Sequence, residues 1–295
     1  NRPMFNNELK QKNLKLYLMK KLVLFLFPLL TYAQNDLLSG VDVPVAKEKV
    51  TSAFKALKIV NLESTKVAAK GDLYFVVAHR FGSIQDGFEG FYGLDNANTQ
   101  IKFIYGLTNG VHVSAARSQL AYDFAVKYAL FPQIKEGFPV TITGFNSVSI
   151  NNTLKESTYP ELQFDNRLTY VAQLLISRKF SEKLSLQVAP TFFHENFVEN
   201  PMQNNTQYAM GIGGRYKFSK RWSLNIDYAA HLNRASNSLY RNPLSIGFDL
   251  ETGGHVFQMH FTNSQGIDEA GYLARTSGNW NKGDVFFGFN LARVF

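Results

Sequence analysis

From Asp72 to Phe295, apolar and polar residues alternate with a period of two. The segment 221–232 is the clearest case. Trp222, Leu224, Ile226, Tyr228, Ala230 and Leu232 fall on one side, and Arg221, Ser223, Asn225, Asp227, Ala229 and His231 on the other. A strand separates these two sets, whereas a helix would scatter both around its circumference. About twelve segments carry the pattern: 72–81, 100–107, 110–117, 121–130, 138–150, 166–180, 183–195, 206–218, 221–232, 244–251, 254–263 and 284–295. Their connections alternate in length. Short turns at Thr108-Asn109-Gly110, Ser181-Glu182, Ser219-Lys220 and Gly253-Gly254, and a slightly longer one at 132–137, alternate with polar loops at 82–99, 151–165, 196–205, 233–243 and 264–283. The tight link at 118–120 departs from this order, because it falls on the long-loop side. An even number of antiparallel strands with short turns at one rim and long loops at the other predicts an all-β chain folded as a transmembrane β-barrel.

Alternation alone does not say which face points outward, and three features decide it. Twelve strands enclose more space than one layer of apolar side chains fills, so an oily interior would leave voids. Aromatics gather near strand ends (Phe180, Tyr216, Phe218, Trp222), where membrane girdles sit. The polar face mixes Gly, Ala and Ser with charges, as a crowded wet lumen does. The apolar face is therefore expected to meet lipid.

The region before the barrel divides in two. Met19-Lys20-Lys21, the apolar run 22–30 and Thr31-Tyr32-Ala33 have the layout of a cleavable signal peptide, so 1–33 is expected to be a signal peptide with an upstream extension. That run is too short to span a bilayer as a helix. Residues 34–71 are expected to form a periplasmic segment or a partial plug, with 72–295 as the barrel. The stretch 54–63 alternates weakly, but a thirteenth strand would lie parallel to the last one.

Composition narrows the function classes. There is no cysteine, which removes disulfide scaffolds, thiol redox sites and zinc ribbons. Twenty-six Phe and 14 Tyr argue against disorder, and a mean hydropathy of −0.16 argues against a polytopic helical protein. The formal charge of +8 comes mostly from the leader, where six basic residues stand against one acidic. Removing them from 31 and 23 leaves 25 and 22, a net of +3. No nucleic-acid partner is expected from so even a balance.

Several local strings are similar to one family. They are His79-Arg80-Phe81-Gly82, Phe91-Tyr92-Gly93-Leu94-Asp95, Tyr105-Gly106-Leu107-Thr108, Gly253-Gly254-His255-Val256-Phe257-Gln258, Thr262-Asn263-Ser264 and the ending 288–295. From about residue 54 onward, and in matching order, the chain resembles the β-barrel domain family of unknown function 5777, typical of Bacteroidota. The resemblance implies an outer-membrane barrel and brings no activity, substrate or catalytic residue with it. The C-terminal strand ending in Phe295 resembles an assembly signal, so the barrel-assembly machinery and outer-membrane lipid are expected partners. Arg293 interrupts the apolar set there, and near the interface it can snorkel.

Candidate chemistry is sparse. The six histidines form no HExxH or HxH pair, and His255 and His260 point to opposite faces of their strand, so no metal site and no cofactor are expected. His194-Glu195 near a long-loop rim suggests a base, but there is no GxSxG elbow, and the chain is expected not to be an enzyme. Gly211-Ile212-Gly213-Gly214-Arg215 lacks the Lys-Ser/Thr of a phosphate loop and precedes no helix. The inward-facing set is more informative. Arg80, Lys102, Lys127, Arg167, Arg215, Asp227, His231, Asp249, Glu251 and His260 are the pore-lining candidates, able to set solute preference or to pair and close the lumen. The leading expectation is a narrow channel for small ions or polar solutes, restricted by the 82–99 and 264–283 loops. The alternatives are a non-conducting barrel that anchors or houses a periplasmic or envelope partner and, third, a barrel enzyme.

Overall fold

The computed structural model describes residues 48–295; the expected leader and residues 34–47 lie outside them. Twelve strands carry the fold: β1 Leu73–Ser83, β2 Ala97–Thr108, β3 Val111–Ser118, β4 Ala121–Phe131, β5 Thr141–Asn151, β6 Leu168–Lys179, β7 Leu184–Glu195, β8 Thr206–Lys217, β9 Trp222–His231, β10 Leu244–Thr252, β11 His255–Thr262 and β12 Phe286–Val294. Each pairs antiparallel with its sequence neighbours, and β12 pairs with β1, so the sheet closes into a barrel. A short helix, α1 (Glu269–Ala274), lies in the connection before β12.

Burial follows the alternation. In β7, Leu184, Leu186 and Val188 are exposed while Ser185, Gln187 and Ala189 are buried. Most strands thus turn an apolar row outward and a mostly polar row inward; β1 instead points Tyr74, Val76 and Ala78 inward beside Arg80. No helix among the described residues is long and apolar enough to cross a membrane; in this fold the strands do so. The tight β3–β4 link is held by Ser118, whose hydroxyl accepts from the Leu120 and Ala121 amides.

The junction between the first and last strands is reinforced from outside. His79 stacks on Phe289 at 5.1 Å and 6°, and Phe81 on Phe287 at 5.7 Å and 9°. These rings tie β1 to β12 beyond the backbone ladder, each pair contributing about 0.5–1.5 kcal/mol.

One local expectation differs from the structure. Arg167 is not on a strand. It ends a 3-10 turn, Phe164–Arg167, that begins in reciprocal bonds between Gln163 and Asn166, and its guanidinium donates to the Asn151 and Leu154 carbonyls. It therefore braces the long loop before β6 instead of joining the inward row. The stretch 54–63 adds no thirteenth strand to the wall: Lys58 and Glu63 bridge each other and no barrel strand.

Candidate functional site

The lumen is filled, and the filling comes from both ends. Residues 54–68 run through it as an irregular segment, with Phe54, Ile59, Val60 and Leu62 almost fully buried. An irregular backbone away from water needs partners for its amides and carbonyls, and the inward row of the wall supplies them. Asp227 Oδ2 accepts from three successive amides, Val60 at 3.0 Å, Asn61 at 2.7 Å and Leu62 at 2.9 Å. Asn61 extends the grip by donating to Ser245 Oγ at 3.0 Å and Thr262 Oγ1 at 3.1 Å, and it accepts from Arg80 at 3.0 Å. Arg80 also donates to Asn290 Oδ1 at 3.0 Å, and the Asn290 amide donates back to the Val60 carbonyl. Further round the wall, Gln258 donates to the Ile59 carbonyl, Gln187 to the Glu63 carbonyl and Thr143 to the Thr65 carbonyl. The Ser177 and Thr65 hydroxyls meet at 2.6 Å, and His112 Nδ1 accepts from the Ala68 amide.

Three ammonium groups converge on Glu63. Lys127 approaches to 2.7 Å, and Lys102 and Lys58 to 3.4 Å each. Burial alone would push this carboxyl up, but the three cations outweigh it and hold it well below the ordinary carboxylate range. Lys127 also donates to the Leu57 and Ser64 carbonyls, so its charge is fully surrounded. Lys58 reaches past Glu63 to Glu269 at 3.1 Å, joining the segment from the short-turn side to the connection from the long-loop side.

That second connection folds inward at α1. Tyr272 and Leu273 pack with Leu62, Val171 and Phe193 in one apolar cluster, and Arg275 pairs with Glu195. Glycines on the wall make room for the filling. A Cβ at Gly213 would strike Ile59, and one at Gly106 would run into the Ala69 carbonyl where the segment leaves the lumen. The Gly211–Gly214 run thus serves close packing in β8.

Of the residues singled out by the sequence, Arg80, Lys102, Lys127 and Asp227 bind the lumenal segment directly. Arg215 and Glu251 pair with each other nearer the short turns, and Arg215 Nε donates to Ser223 at 3.1 Å. Asp249 accepts from Gln258 at 2.9 Å. His231 and His260 are buried, and their ring nitrogens have no hydrogen-bond partner among the described residues. His194 lies half-buried, 2.9 Å from the Thr206 hydroxyl. No group of His, Asp and Glu among the described residues could hold a metal ion. Sequence reasoning missed Glu63 and Asn61, which organise the centre. Glu63 is the one carboxylate between Glu48 and Asp72, and nothing in its spacing marks it.

With twelve strands closed around a polar lumen, the sequence comparison is decisive. The family described as a membrane-bound β-barrel domain, DUF5777, matches residues 54–295. The chain belongs to this family. The matched region starts inside the lumenal segment, so family membership covers the filling as well as the wall. Among solved structures, the chain is similar to the NanC porin at 11% identity, with a TM-score of 0.48 over 76% of this chain and 98% of that one. It is also similar to the KdgM porin, at 9% identity and a TM-score of 0.48 over 76% and 99%. An outer membrane channel from Pseudomonas putida F1 matches at 12% identity, with a TM-score of 0.45 over 78% and 97%. No curated protein matches the chain in sequence.

Proposed function

We propose that this DUF5777 barrel is an outer-membrane channel for small ions or polar solutes that rests closed, with residues 54–68 as its gate. The supporting observation is the chemistry of the contact between gate and wall. The segment is held mainly by hydrogen bonds and ion pairs to Asp227, Arg80, Lys127, Gln187 and Gln258, not by one continuous apolar core. A wall lined with such groups accepts water when the segment leaves, so withdrawal yields a hydrated, charged passage and not a collapsed one. Arg80, Lys102, Lys127, Arg215, Asp227, His231, Asp249, Glu251 and His260 would line it. No catalytic step is part of this reading, and no cofactor is needed. Phe295, exposed beside the Arg293 guanidinium, is the group we assign to recognition by the barrel-assembly machinery.

A second reading, a non-conducting barrel serving an envelope partner, draws support from the same filling. Single-channel conductance separates the two. The intact protein is expected to give rare, small steps, and deletion of residues 48–68 large, steady ones. Because the chain has no cysteine, Thr65→Cys with Ser177→Cys can tie the segment to β6 where the two hydroxyls now touch. That variant should be silent until a reductant is added. A deletion variant shown to be folded and inserted, yet silent, would reject the channel and leave the scaffold.

A further inference from the structure

A cavity of about 200 Å³ opens on the long-loop side, between the ends of β4–β6 and the connection that carries α1. Its lining includes Ser149, Asn151, Thr169, Gln265, Asp268 and Arg275. Two properties of these groups define what would fit. The charges are already answered. Arg275 pairs with Glu195 and lies 4.0 Å from Asp268, and Asp268 accepts the Gly271 amide at 2.8 Å. Ser149 donates to Asp123, but other neutral groups are unanswered. Thr169 is a buried residue that lines the cavity and its hydroxyl makes no hydrogen bond within the described residues, and the Asn151 amide nitrogen and the Gln265 side-chain oxygen are equally unused. Asn151 and Gln265 are nevertheless fixed in place, since the Asn151 oxygen accepts from Thr153 at 2.8 Å and the Gln265 nitrogen donates to the Phe81 carbonyl at 3.1 Å. The result is a rigid rim of one unused donor, one unused acceptor and one hydroxyl that can be either.

We infer that this cavity is a binding site for a small neutral polyol, of about a dozen non-hydrogen atoms. A polyol presents hydroxyls that donate and accept in turn, matching the unused set, and brings no charge for which the site lacks a counter-charge. The volume corresponds to several displaced waters. An anion would face Asp268, and a cation would face Arg275. As the entry step of a transport path the site rests on the channel reading above, but binding does not require conduction.

The test is calorimetric titration of the full chain in detergent micelles with D-glucose and myo-inositol, and with glycine as a small zwitterion of opposite demand. At least one polyol is expected to bind with millimolar affinity, and glycine is not. Thr169→Val, which keeps shape and removes the hydroxyl, and Asn151→Ala should each weaken binding about threefold to tenfold, the loss of one neutral hydrogen bond. Glu156→Gln, on a neighbouring loop, should bind as the parent does. Absence of polyol binding at saturating concentrations, binding that ignores Thr169 and Asn151, or preference for glycine would each overturn the site. A barrel that conducts after deletion of 48–68 but binds no polyol loses only this inference. One that binds yet never conducts loses the channel and keeps the site.

Discussion

The two fillings of the lumen are built on opposite principles. Residues 54–68 offer backbone and charge to the wall. Their central fixings are three amides on Asp227 and three ammoniums on Glu63. The α1 connection offers mainly apolar side chains: Tyr272, Leu273 and Ala274 join Phe193 and Val171 of the wall and Leu62 of the lower segment, with Arg275–Glu195 at the edge. Apolar packing resists hydration whatever the arrangement. A polar lattice is strong when complete and weak once a single member is lost, because each buried charge then lacks its partner. In the channel proposed above, the lower filling is the one suited to exchange its wall contacts for water, and the upper one is not.

The sharpest way to break that contrast is Glu63→Gln, which strands the Lys127 and Lys102 ammoniums while Lys58 keeps Glu269. It should cost about 3–5 kcal/mol, read as faster amide hydrogen exchange over residues 57–66 with little change at 269–274. Exchange that rises equally in both regions would mean they form one unit. Leu273→Ala is the counterpart, expected to cost about 2–5 kcal/mol, lowering the thermal midpoint and loosening α1, with the lower segment loosened only around Leu62. A smaller effect is expected from Asn61→Ala, which leaves Arg80, Ser245 and Thr262 each short of a partner. About 1–3 kcal/mol of lost local stability should appear as more frequent conductance steps. The smallest effect is a predicted absence. Glu63 titrates below its unfolded range, so its contribution is complete above the ordinary carboxylate pKa and fades only as pH falls toward the depressed folded value. Glu63 itself should therefore drive no change in conductance between about pH 8 and pH 5; a change within that window that disappears in Glu63→Gln would overturn this.

Much of the wall was legible because a period of two leaves little freedom. The alternation around Asp227 places that carboxylate inside, and the same logic places Arg80, Lys102 and Lys127 there. Arg167 shows the limit. It continues the alternation of β6 by one step, and only the Gln163–Asn166 bonds, local side-chain chemistry with no periodicity, turn the chain before it. The filling was less legible for a related reason. Residues 54–63 alternate weakly, as a strand would, yet their partners lie on every side of the lumen and not along one neighbour. No spacing in the chain encodes a contact such as Asn61 with Ser245 and Thr262, since it exists only once the ring has closed. Nor does the sequence reveal that Asp268 and Arg275 neutralise each other above a set of unused neutral groups.

The join between β1 and β12 carries a last consequence. On the lipid side, His79–Phe289 and Phe81–Phe287 clasp the two strands; on the inner side, Arg80 reaches across to Asn290 and also grips Asn61. The only place where the wall lacks a covalent hairpin is thus riveted from both surfaces. Such a wall acts as a hoop without a loose stave: in the proposed channel a cargo would have no sideways exit into the bilayer through this seam.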